Sequence, residues 1–100
     1  MIYYEVTLEC SESTAPALEQ WMRNSHIPDM LATDCFVTIH FDRSDGRFRT
    51  VYQAASRRHL DRYIADHAPR LREHFQKYFP SGVAVSRETW EQVQYWSRES

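Results

Sequence analysis

Ile2, Tyr4, Val6 and Leu8 alternate with Tyr3, Glu5 and Thr7. That period of two predicts a first strand with one apolar and one mixed face. Cys10-Ser11-Glu12-Ser13-Thr14 follows as a polar turn rich in helix-capping residues. Pro16 suits a first helical turn, where a missing N–H costs nothing. Leu18, Trp21, Met22 and Ser25 recur at i, i+3, i+4 and i+7, so this helix lies on something apolar. Pro28 is expected to end or sharply bend it, because proline steers the preceding residue away from helix. Asp29, Met30 and Leu31 form one more turn.

Phe36 to Phe41 is the second strand and Arg47 to Ala54 the third. Between them Asp45-Gly46 is a hairpin signal, since both residues tolerate positive φ. The phase of strand two stays open: either Thr38 and His40, or Ile39 and Phe41, face away from the helices. Ser56 caps a second long helix. Leu60, Ile64, His67, Leu71, Phe75 and Tyr78 keep a helical period across Pro69, which predicts a bend without loss of phase and a buried His67. Pro80-Ser81-Gly82 ends the helix, and Val83 to about Val93 is the fourth strand.

The order β-α-β-β-α-β with right-handed crossovers is the split βαβ, ferredoxin-like arrangement, an α+β fold. It places four antiparallel strands in the order 4-1-3-2, with two helices on one face. Residues 1–100 are read as one such domain, there being no room for a second core.

Composition narrows the functional classes. Net charge is −2 with acids and bases intermixed, so nothing favours nucleic acid or an anionic membrane. No apolar run approaches a membrane span, and the start of the chain lacks the features of a signal peptide. The expected location is the cytoplasm, with reduced thiols. Cys10 and Cys35 fall near opposite ends of the sheet and are expected to be free. Neither has metal-ligand spacing, and no metal or cofactor is expected. The aromatics are 14% of the chain. Trp90, Tyr95 and Trp96, together with the mixed face of Tyr3, Glu5 and Thr7, favour an interface between sheets in a homodimer. Arg87 is expected to neighbour strand one and to pair with Glu5.

Two histidines carry the candidate chemistry. His26 follows the first helical stripe, and Asp29 lies three residues on. A carboxylate-oriented imidazole is a general base, but the same arrangement is also a capped structural corner. His67 belongs to the other helix, about 16 Å along it, too far for one site using both histidines in one subunit.

Trp21-Met22, His26-Ile27-Pro28-Asp29-x-Leu31-Ala32-Thr33 and Phe36 resemble an uncharacterised bacterial family of about 100 residues, known as a domain of unknown function. Tyr52-x-Ala54-x-Ser56, Leu60, Tyr63, His67-Ala68-Pro69-Arg70-Leu71-Arg72, His74 and Arg87 extend the resemblance over nearly the whole chain. Asp34 departs from it, standing where glycine is expected, though aspartate also tolerates a left-handed turn. The resemblance implies a fold similar to the dimeric α+β barrel proteins and no particular activity. In that wider group a pocket lies between sheet and helices. Its occupants range from haem to small aromatic substrates, and some members are oxygenases without a cofactor. Two readings therefore stand. One is a homodimeric module without a catalytic constellation. The other is a protein that binds, and in an enzyme of oxygenase or isomerase type transforms, a small apolar or aromatic molecule. Trp21, His26, Tyr52, Tyr63 and His67 would line the pocket.

Overall fold

The computed structural model describes residues 1–99. Strands β1 (Ile2–Cys10), β2 (Thr38–Ser44), β3 (Arg47–Ala54) and β4 (Val83–Glu91) form one antiparallel sheet in the order β2-β3-β1-β4. Read from the other edge, that is the expected 4-1-3-2. The helical segments α1 (Ala15–Trp21), α2 (Ile27–Leu31), α3 (Arg57–Asp66) and α4 (Ala68–Tyr78) connect them, and their buried side chains pack on the sheet. The fold is ferredoxin-like.

Register assigns every strand residue to a face. Tyr4 lies opposite Tyr52 on β3 and Thr89 on β4, and Val6 lies opposite Thr50 and Arg87. Ile2, Tyr4 and Leu8 are buried with Phe48, Tyr52 and Ala54 on the helix side. Ile39 lies opposite Tyr52 and Phe41 opposite Thr50, which settles the phase of strand two. Both pack against the core, and Thr38, His40 and Asp42 go to the open face. Strand two begins two residues later than the pattern suggests and runs on to Ser44. Gly46 makes the hairpin with φ +73°, whereas Asp45 keeps a negative φ. Among the described residues Asp34 is the one non-glycine with positive φ, at 60°, so the departure from glycine is accommodated as a left-handed aspartate.

Two buried clusters share the helix side. One gathers Tyr4, Phe36, Tyr52 and Tyr63 with Met30, Leu60 and Leu71; the other gathers Leu8, Leu18, Met22 and Phe48. Val6 packs against both. Cys10 and Cys35 are free thiols.

The two prolines behave differently from expectation. Pro28 does not end the first helix. Between α1 and α2 lies a π turn, Met22–His26, in which the Ile27 amide donates to the Met22 carbonyl five residues back. The backbone therefore runs helically from Ala15 to Leu31. Pro69, in contrast, follows a true break. His67 sits at φ −125°, ψ −35°, between α3 and α4. The break changes the phase: Leu60, Tyr63, Ala68 and Leu71 are buried, while Ile64 is 41% exposed and His67 half-buried. The buried His67 expected from an unbroken stripe is thus corrected.

Candidate functional site

The π turn decides what the first helix shows to the sheet. In a regular α-helix, side chains four apart drift by about 40°. A turn closed by an i→i−5 bond is underwound and takes that drift back. Leu18, Met22, His26 and Met30 consequently share one face. Leu18, Met22 and Met30 are fully buried, and His26 stands between the two methionines over the sheet. An ideal helical period instead puts Ser25 in the stripe and His26 just beyond it.

His26 opens onto a cleft between the sheet and the helices. Tyr4, Val6 and Leu8 supply its wall from β1, Tyr52 from β3, and Val85 and Arg87 from β4. Met22, His26 and Met30 close it from the first helical run, Tyr63 from α3, and Arg72 and Phe75 from α4. Counting the open mouth, the unfilled space is about 390 Å³, but only a small part of it is wide enough for solvent. That is room for one or two waters. The plane of a haem does not fit a space of this size, so the lining as it stands does not suit that group.

The electrostatics of the cleft are unusual for its polarity. The Nδ1 atom of His26 is buried and has no hydrogen-bond partner. Burial lowers its pKa to about 4; Asp29 opposes this through its charge, and His74 and Arg87 reinforce it. The imidazole is therefore neutral at neutral pH, with a free ring nitrogen. Burial also pushes the phenols of Tyr52 and Tyr63 well above the usual tyrosine range, which keeps both as O–H donors. Arg72 donates to the Tyr4 hydroxyl at 3.1 Å. Arg72 and Arg87 have no carboxylate within ion-pair distance among the described residues, and no acidic side chain lines the cleft.

Of the residues singled out from sequence, the fold brings His26, Tyr52 and Tyr63 together. Trp21 lies off the cleft wall. It stacks on His26 at 5.2 Å between ring centroids and packs among His74, Phe75, Tyr78 and Phe79, joining the first helix to α4. His67 is also outside the cleft; its Nδ1 lies 3.3 Å from the Arg70 guanidinium, from which it accepts. Asp29 is exposed and makes no hydrogen bond with His26. Arg87 is not beside Glu5. Its Cα pairs with that of Val6, so its side chain leaves on the helix side while Glu5 points to the open face. Residues 83, 85 and 87 share a strand face, and the apolar Val83 and Val85 were the signal that could have located Arg87.

Comparison with known proteins agrees with this layout. Residues 1–93 match the family described as Domain of unknown function (DUF4286). The chain belongs to this family. No curated protein matches it significantly. Among solved structures, a putative antibiotic biosynthesis monooxygenase from Deinococcus radiodurans is similar over 100% of both chains, with TM-score 0.68 and 14% identity. A dimeric ferredoxin-like protein from an uncultured marine organism covers 98% of this chain and is itself covered in full, with TM-score 0.67 and 13% identity. A heme-degrader from Mycobacterium tuberculosis, with two hemes bound in its active site, matches 97% of this chain and 100% of its own, with TM-score 0.65 and 14% identity. At these identities the likeness establishes the fold. No helix among the described residues is long and apolar enough to cross a membrane.

Proposed function

We propose that this DUF4286 protein is a homodimeric ferredoxin-like module whose sheet–helix cleft binds a small apolar or aromatic molecule. The observation that carries the binding reading is His26. A neutral imidazole with an unpartnered buried nitrogen leaves a hydrogen bond unmade, which costs on the order of 1–3 kcal/mol unless something satisfies it. The buried Tyr52 and Tyr63 rings form the apolar backing of the same wall. A ligand with a flat apolar body and one donor for Nδ1 meets both features. A protein similar to this one degrades heme, and another is a putative monooxygenase, so the fold accommodates small-molecule chemistry in relatives.

A thermal-shift screen of small aromatic and alicyclic compounds tests this, because a ligand of the folded state must stabilise it. At a hundredfold excess over Kd the gain is about 2.7 kcal/mol. Hits should be weakened in Tyr63→Ala and His26→Ala. A screen in which no compound raises the melting temperature of the wild-type protein counts against the binding reading.

The dimer rests on the other side of the sheet. Val51 is buried there, beside Tyr3, Glu5 and His40, on a face that no helix covers. Asp42 on that face accepts from Arg49 at 2.9 Å and lies 3.1 Å from the His40 ring, an arrangement that holds its carboxyl below the usual range. Trp90 is 53% exposed, and Tyr95 and Trp96 are 75% and 76% exposed. Large aromatics flanking an open sheet favour sheet-to-sheet association. Sedimentation showing a monomer at micromolar concentration would overturn the homodimer.

A further inference from the structure

Resting on the homodimer reading, we infer the orientation in which the two copies dock. The acidic half of each open sheet face covers the basic half of the other, about a twofold axis running along the strands. Strand pairing divides the open face by charge. On β1 and β4 it carries Glu5, Glu9 and Glu88 and, among the described residues, no cation. On β3 and β2 it carries Arg47 and Arg49, with His40. The carboxylate on that half, Asp42, is already engaged by Arg49 at 2.9 Å. The boundary falls between β1 and β3, the two central strands.

Two simple rotations lay such a sheet face to face on its own copy. A twofold axis along the strands sends β1 over the partner's β3 and β4 over the partner's β2. Glu9 then faces the partner's Arg47, and Glu88 faces the partner's His40. A twofold axis across the strands sends each strand over its own copy and gathers the carboxylates of both protomers. Like charges brought together across an interface are strongly disfavoured, so the first rotation is selected. Within one protomer Glu5 and Glu88 already lie opposite each other on neighbouring strands, a like-charge pair that weakens a sheet. Cations from the partner relieve it. The ends of the face fit as well. Tyr3 and Trp90 are paired neighbours at one end, and Thr38 and Gln53 are paired neighbours at the same end. The first rotation lays the aromatic pair on the partner's Thr38 and the partner's Gln53. Those two share a 2.6 Å hydrogen bond, which lowers the cost of covering them with rings. The contact is self-complementary, as a closed dimer requires.

Charge-swapped variants in sedimentation equilibrium test the orientation. Glu9→Lys with Glu88→Lys makes both halves basic, and Arg47→Glu with Arg49→Glu makes both acidic. The substituted residues are exposed, so the variants keep the fold, which circular dichroism checks. Each variant alone should dimerise at least about tenfold more weakly than the wild type, because like now meets like. Mixed in equal amounts, the two should recover a one-to-one heterodimer, since every charge then meets its opposite. If a double variant unfolds, Glu88→Lys and Arg47→Glu, each alone and mixed in the same way, decide in its place. Variants that each dimerise as tightly as the wild type would overturn the orientation and leave the homodimer standing. A mixture of folded variants that stays monomeric would do the same. A wild-type chain that is itself monomeric removes the homodimer, and the orientation falls with it.

Discussion

His26-Ile27-Pro28 and His67-Ala68-Pro69 carry the same spacing of imidazole and pyrrolidine, and the fold handles them in different ways. Proline lacks the donor for an i→i−4 bond, and its ring crowds the carbonyl four residues back. Before Pro28 the chain widens into a π turn and stays helical. Before Pro69 it breaks, and His67 takes a non-helical φ, ψ. The consequences for phase are opposite. The π turn draws His26 into the buried stripe between Met22 and Met30. The break takes His67 out of the stripe and puts Ala68 in its place. Burial on both sides explains the first outcome: Leu18, Met22 and Met30 hold the whole run against the sheet, so only a local widening is available. At the second site Asp66, Pro69 and Arg70 are exposed, and the chain is free to turn there.

The largest expected effect belongs to the stripe that holds the π turn down. Met22→Ala should cost about 2–5 kcal/mol, the range for a large-to-small change in a packed core. Chemical denaturation measures it, and a loss below about 1 kcal/mol would mean that the helix is not anchored there. The next effect is acid sensitivity. The folded His26 pKa of about 4 lies below the ordinary 6.5, so the unfolded chain takes up the proton first as pH falls. The contribution of neutral His26 is fully present above about pH 6.5 and is lost as pH falls towards 4, by at most about 3 kcal/mol. His26→Gln should flatten that part of the stability–pH curve.

Smaller effects test the second break. Ser56 accepts from the His59 amide at 3.4 Å and caps α3, so Ser56→Ala should lose about 1 kcal/mol. His67→Ala removes the contact with Arg70 on the surface and should cost less than about 1 kcal/mol. A His67 variant as damaging as Met22→Ala would erase the contrast between the two segments.

Much of the fold was legible from period-two strands, the Asp-Gly hairpin and the order of elements. Arg47–Ala54 begins and ends where the pattern puts it. The site was less legible because one residue's slip in phase moves a side chain from solvent to core. A fixed helical period cannot register a π turn, so Ser25 replaced His26 in the stripe. The four-residue spacing of Leu18, Met22, His26 and Met30, with Pro28 inside it, was the available sign. Across Pro69 the same fixed period puts Ile64 and His67 in the stripe and leaves out Tyr63, which is the buried residue. Arg72 and Arg87 line one cleft although they lie on α4 and β4, a placement with no local trace in the chain.

The π turn holds a neutral, unpartnered His26 in the cleft. A proton–carbon NMR titration of the imidazole, assigned through His26→Gln, tests it directly. A midpoint near pH 4 is expected, with the signal of the neutral ring throughout the neutral range. A midpoint at or above 6.5 would place His26 in solvent and contradict the cleft, its electrostatics and the role given to the π turn.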